Sequence, residues 1–477
     1  MQRMELWFRQ RAQAVALAAM ALLAVAVAGL AFAASPLWPL LTLTALALLL
    51  GVWWGWPRSG LLLLLAAGML SRYDAEVLGR SLKAEHVAVL AVLGLLGAQV
   101  LLDKRRPVVT LAGFWALAWL LWNGAATLLS PIVIAAAPNH LFKLTLMVGA
   151  YLCVVNLVRD QATLRWAFRA WLAVGTVAAA WGLLVWLIYL ATRVNLGIQM
   201  TNNLPAPVPY GTLLEGNIYG SHAASLAAAY AALVLTRPGA RLWGPRLRWT
   251  DVGLAATTLA VLIGMSRGSW LGLAAALGLG LLTTRRLSSR PARRLALTAL
   301  LILLALVALL LVVELAPKEL SLVNRLASFT RLDEEVTVVG RLSKYEAAFT
   351  SWLERPAAGW GTGSMATLYA SRGRRWAWIS NLTLHLLLDT GIIGLLLFAG
   401  FVVTLFWRGF RAAAAAGPTF HRRMLLGLLS GFAGLLVAYQ STEATWLVLP
   451  WIHAGLLTAA TRLPLSPEEA PARAPTA

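Results

Sequence analysis

The chain alternates long apolar runs with short polar connectors. Apolar stretches recur at roughly 13–33, 37–56, 59–71, 86–102, 108–129, 140–158, 168–190, 218–235, 251–265, 269–284, 295–315, 382–407, 424–440 and 446–461. A helix rises 1.5 Å per residue, so about 20 residues cross a ~30 Å hydrocarbon core, and most of these runs read as transmembrane helices. The run at 59–71 is short for a full crossing. The stretch 251–284 is too long for one, about 50 Å as a single helix, and must fold as a hairpin with Ser266-Arg267-Gly268 at its turn. The predicted fold is an all-α polytopic transmembrane helix bundle of about 12–14 spans with a mostly helical extracytoplasmic loop domain. Its expected divisions are N-terminal transmembrane helices over 1–315, the loop domain over 316–381, C-terminal transmembrane helices over 382–462, and a disordered cytoplasmic tail over 463–477.

Composition agrees with this pattern. Charged residues make up 12% of the chain, half the usual share of a soluble protein. The single cysteine, Cys153, lies inside an apolar run, which excludes an internal disulfide and a cysteine-based metal site. The net charge of +21 invites a nucleic-acid reading, but the cations cluster between apolar runs and fit membrane orientation better. Most of the 40 Lys and Arg residues fall on one side when both termini are cytoplasmic, which puts segment 316–381 outside. A cleavable leader ending near Ala31-Phe32-Ala33 is the alternative for the first run, whose apolar stretch is long for that purpose.

Two external segments are long enough to carry chemistry. Segment 191–217 is rich in Pro and Asn and reads as loop. In segment 316–381, Leu342, Tyr345, Phe349 and Trp352 recur at helical spacing from Arg341 to Glu354, and Pro356 ends that helix. Gly359-Trp360-Gly361-Thr362-Gly363 follows, where backbone can approach a ligand closely; no strand precedes it, so a nucleotide loop is poorly supported. The first turns of the helix after Asn381, with His385 and Asp389, are expected to protrude. Topology thus gathers Lys143, Glu215, Asn217, His222, Arg267, Arg341, Asn381, His385 and Glu443 at one membrane face, where ionisable groups commonly mark a pathway. Bland roles compete: Arg267 as an interfacial arginine, Arg341 as a helix-start ion pair, and His385, His222 and Glu443 as structural groups. Trp352, Trp360, Trp376 and Trp378 offer indole faces for sugar rings or for the membrane interface. No Asp-x-Asp pair occurs, so a metal-bound diphosphate is not suggested, and no cofactor is expected.

Three segments together resemble the O-antigen ligase and polymerase superfamily: SRGSWLGL (266–273), GRLSKYEAAFTSWLERPAAGWGTGS (340–364) and SNLTLHLLLDTGIIG (380–394), with LLEGNIYGSHAASLAA (213–228) as a looser element. The resemblance implies a metal-independent, inverting membrane glycosyltransferase. Its donor would be an undecaprenyl-diphosphate-linked glycan and its acceptor a hydroxyl of a lipid A core, a growing polysaccharide or another glycan. It also places the enzyme at the outer face of the bacterial cytoplasmic membrane. By motif, Arg267 and Arg341 match the family's diphosphate-binding arginines, a role suited to planar guanidinium forks. The ligases carry a histidine, their proposed general base, where this chain has Ser380. A serine hydroxyl is a poor proton acceptor near neutral pH. The expected catalytic set is therefore Arg267, Arg341, Asn381, His385 and Glu215. The expected substrate-binding set is Arg267, Arg341, Lys143, Asn217, His222, Trp360 and Glu443. The missing histidine favours a polymerase or another glycan ligase over a lipid A ligase. A transporter or flippase for the same lipid-linked glycan is the rival from another class, although the repeats expected of one are not visible.

Overall fold

The computed structural model describes residues 56–77, 80–102, 104–201, 204–235, 248–284, 336–443 and 445–463. The expected spans at 13–33 and 295–315, nearly all of 37–56, residues 316–335 of the loop domain and nearly all of the tail lie outside the described residues.

In chain order come α1 (Arg58–Gly68), a hairpin of β1 (Asp74–Val77) and β2 (Arg80–Lys83), then α2 (Ala84–Leu102), α3 (Leu111–Leu128), α4 (Ala137–Leu157) and α5 (Gln161–Thr192). A second antiparallel hairpin, β3 (Ile198–Thr201) and β4 (Leu204–Pro209), precedes α6 (Gly216–Leu235), α7 (Trp249–Ile263) and α8 (Arg267–Thr284). The loop domain contributes α9 (Val336–Glu354) and α10 (Ser364–Ala370), and α11 (Leu382–Ala415), α12 (Phe420–Ala438) and α13 (Val448–Arg462) follow. The fold is an all-α polytopic bundle, and α2, α3, α4, α5, α11 and α12 are long and apolar enough to cross a membrane.

Helix ends follow local chemistry. Thr110, Asp160, Asn381 and Thr419 each cap a helix by accepting a backbone N–H three residues on. Asp160 therefore starts α5 several residues before its apolar run. Gly417, at φ 59°, closes the C-terminal end of α11 in the left-handed region. Helix α9 stops at Glu354, two residues before Pro356.

The hairpin that length demanded forms, with its turn at 264–266 and with Arg267 and Gly268, expected in the turn, opening α8; the Trp270 indole N–H donates back to the Val261 carbonyl at 2.9 Å. Around it, α6, α8 and α12 approach through small residues. A Cβ on Gly272 would lie 2.5 Å from the Gly434 carbonyl, and one on Gly431 would lie 2.6 Å from that of Ser225. Close packing of this kind is how helices associate in membranes, where burial from lipid adds little.

Three local readings need correction. Segment 191–217 is not all loop, because the β3–β4 hairpin supplies cross-strand partners for its backbone. Helix α11 extends to Ala415, eight residues past its apolar run. Its first turns do not protrude either: His385 and Asp389 are buried. The chain from Pro356 to Gly361 crosses α11 where Gly391 (φ 65°, ψ −168°) breaks the helix. Trp360 and Gly361 N–H donate to the Leu388 and Asp389 carbonyls at 2.7 and 2.9 Å, and Ile392 N–H donates to the Pro356 carbonyl at 2.8 Å. The interrupted turn is thus satisfied by the loop domain.

Candidate functional site

The loop after α12, residues 439–446, forms a strap on which the site is assembled. At one end it meets α8. Any Cβ at Gly268 would strike the Ser441 hydroxyl, so Arg267, the first residue of α8, sits beside the strap. Arg341 of α9 lies within electrostatic range of Arg267, and both are partly buried. Two like charges within electrostatic reach of one another in a partly buried place favour an anion there.

Asn381 ties α11 to the same strap. Its side-chain oxygen accepts the Leu384 N–H at 2.9 Å as the helix cap, and its Nδ2 donates to the Gln440 carbonyl at 2.9 Å. Thr383 donates to the Gln440 side-chain oxygen at 2.9 Å. Tyr345, one turn beyond Arg341, donates through its hydroxyl to the Ser380 carbonyl at 3.0 Å. Burial pushes the Tyr345 phenol up, while the Arg341 charge and a hydrogen bond with Asn381 pull against that shift.

Glu215 stands at the mouth of α6 and accepts the Thr442 hydroxyl at 3.0 Å. The Asn217 carbonyl accepts the Ser269 hydroxyl at 3.2 Å, which joins the start of α6 to the first turn of α8. Four helices, α6, α8, α9 and α11, therefore bring Arg267, Arg341, Asn381, Glu215 and Asn217 around one strap.

At the other end of the strap lies a buried ionic cluster. His385 Nε2 is 3.1 Å from Asp389 Oδ2, and Nδ1 is 3.0 Å from Glu443 Oε1, near enough to pair electrostatically though not aligned as a hydrogen bond. Asp389 also accepts the Gly363 N–H at 2.7 Å and the Ser364 hydroxyl at 3.0 Å. Glu443 accepts the Trp446 indole N–H at 2.6 Å. His385 is thus enclosed by two carboxylates and 5% exposed, not open at the mouth. Lys143 is one turn from His140 on α4, and the His140 ring meets Trp446 at 4.9 Å.

Two expected site residues sit elsewhere. Helix α6 begins at Gly216, so His222 lies about 9 Å deeper, against Gly175 of α5 and near His453 of α13. Trp360 donates its indole N–H to the Ser351 carbonyl at 2.7 Å, and its ring lies 5.8 and 5.9 Å from the Arg355 and Arg372 guanidiniums. Its ring is thus engaged within the loop domain. Tyr345, Gln440, Ser441 and Asp389 are the residues that sequence reasoning did not place in the site. Tyr345 carried a local signal in its spacing from Arg341, and Asp389 one in its place four residues after His385.

The O-antigen ligase family profile matches residues 252–399, from α7 to just past the kink in α11. The chain carries an O-antigen ligase domain. That domain contains Arg267, Arg341, Asn381 and His385, and the superfamily resemblance holds. The matched residues make up about a third of the chain. None of the curated proteins matches the chain significantly. A solved chain from a peptidoglycan synthase complex, described as structurally coordinating polymerization and crosslinking, is 17% identical over 74% of this chain and 95% of its own. Its TM-score is 0.39, a likeness too low to bear on fold or function.

Proposed function

We infer that this O-antigen ligase domain transfers an oligo- or polysaccharide from an undecaprenyl-diphosphate carrier to a hydroxyl acceptor, at the outer face of the cytoplasmic membrane and with both termini inside. Arg267 at the start of α8 beside the strap, with Arg341 of the loop domain within its electrostatic reach, carries the reading. As the acceptor oxygen attacks the anomeric carbon, the bond from that carbon to the phosphate oxygen breaks and its electron pair leaves on the diphosphate. Two guanidinium groups stabilise charge that grows along this path. Asn381, fixed by its cap and by Gln440, orients a sugar or the acceptor.

The acceptor proton needs a destination. Glu215 is the proposed base, since it is partly exposed at the mouth of α6 and its carboxylate keeps a second oxygen beyond the Thr442 hydrogen bond. His385, enclosed by Asp389 and Glu443, is closed to an acceptor and serves better in holding the strap's acidic end. Polymer extension is favoured over transfer to a lipid A core because Ser380 stands at the ligase histidine position.

Arg267→Ala and Arg341→Ala are each expected to lower transfer by about 100-fold or more in proteoliposomes supplied with a diphosphate-linked glycan, while the variants melt like wild type. Full activity in either variant removes the mechanism. A product ladder in the same assay marks a polymerase, and a single adduct marks a ligase.

A further inference from the structure

The chain leading into Asn381 has a feature that the transfer step leaves unused. Between Arg355 and Asp389 there is no acidic residue, and three arginines, Arg372, Arg374 and Arg375, run directly into Trp376 and Trp378. Arg372 is engaged by the Glu354 carboxylate at 2.9 Å and by Ser351. Arg374 lies over the Trp376 ring at 4.5 Å, and that ring packs on Tyr369. Arg374 and Arg375 are exposed, and Trp378 is 47% exposed.

Trp378 is open yet held. Its ring makes T-shaped contacts with His140 at 6.1 Å and with Trp446 at 6.3 Å. Trp446 anchors the far end of the strap through Glu443, and that strap carries Gln440 and Ser441 at the transfer site. Lys143, one turn from His140, adds positive charge nearby. An exposed indole, three and four residues along the chain from two exposed cations, is thus coupled to the transfer site by one short loop. An indole serving only as an interfacial anchor would be expected among lipid-facing aliphatic side chains. This one is seated on a histidine and a hydrogen-bonded tryptophan of the site.

We propose that this face is a subsite for an acidic sugar of the glycan, with the Trp378 ring against the apolar C–H face of a pyranose and Arg374 and Arg375 pairing with its carboxylate. Neutral sugars would use the indole but leave the arginines without counter-charge, so the cations narrow the substrate to uronate-bearing glycans. The inference rests on the transfer reading above and names its substrate class.

The full chain in neutral detergent is titrated with an oligogalacturonate and with a malto-oligosaccharide of equal length, at low and high salt, and binding is read by tryptophan fluorescence and calorimetry. The acidic oligosaccharide should bind more tightly. Trp378→Ala and the double variant Arg374→Gln/Arg375→Gln should each weaken it about 10-fold, and the double variant should flatten the salt dependence. Trp378→Phe, which keeps an aromatic face, should retain most of the binding and controls for folding. Arg267→Ala and Arg341→Ala should bind the free oligosaccharide like wild type, so loss of transfer in those variants is read separately from loss of this subsite. Equal affinity for the two oligosaccharides, no binding of either, or unchanged affinity in both subsite variants overturns the proposal. So does a double variant that loses anionic phospholipid from nanodiscs while keeping its oligosaccharide affinity.

Discussion

Tyr345 shows how much of the site depends on one hydroxyl. It joins the loop-domain helix carrying Arg341 to the Ser380 carbonyl, and Ser380 itself sits at φ 59°, an uncommon conformation for a residue with a side chain. Tyr345→Phe should cost about 1 kcal/mol of stability, seen as a lower melting temperature, because the Ser380 carbonyl loses a buried partner. It should also reduce turnover by loosening the bond between α9 and the strap. The pH dependence has a definite sign. Burial raises the phenol above its ordinary value of about 10 despite the opposing pull of Arg341 and Asn381. The neutral form is therefore favoured by folding, and its contribution is complete below pH ~10 and lost as pH rises through the folded value. The melting temperature of wild type should approach that of Tyr345→Phe in strongly alkaline buffer and stay separated from it at pH 7. A constant gap across that range would mean that the hydroxyl is not what holds the helix.

Helix α11 is broken in order to be covered. A continuous helix through Gly391 would pair its own carbonyls and leave the 356–361 crossing without partners. The positive φ at Gly391 instead hands the Leu388 and Asp389 carbonyls to Trp360 and Gly361. A Cβ at position 391 would run into the Ala357 carbonyl. Gly391→Ala should therefore destabilise the protein by about 3 kcal/mol and expose residues 355–380 to limited proteolysis, with the membrane helices still folded. Wild-type protease resistance in that variant would show that the crossing does not depend on the kink. The α7–α8 hairpin is a contrasting element, since its turn follows from length alone.

Across the whole molecule, the strap at 439–446 links pieces that lie far apart along the chain: Gln440 with Asn381, Thr442 with Glu215, and Glu443 with His385. One membrane face must hold this assembly if a lipid-linked donor is to reach it. Cys153 is buried, so a single exposed thiol can report the side. Ser371→Cys should react with a membrane-impermeant maleimide added outside the intact cytoplasmic membrane. Reaction only after that membrane is opened would place the loop domain inside and end the proposed orientation.

What was legible in the amino-acid order is what short-range physics controls. Runs of apolar residues set the helices, the excess length of 251–284 forced a turn, found just ahead of Arg267, and the spacing after Arg341 with the stop at Pro356 gave α9. Each signal is local, because a helix is specified by residues three and four apart. Tertiary packing decided the rest: the burial of His385 between two carboxylates, the depth of His222, the arginines over Trp360 and the exposure of Trp378. Those outcomes depend on hydrogen bonds and close approaches between residues tens to hundreds apart, which leave no period in the chain and exist only once the helices have met.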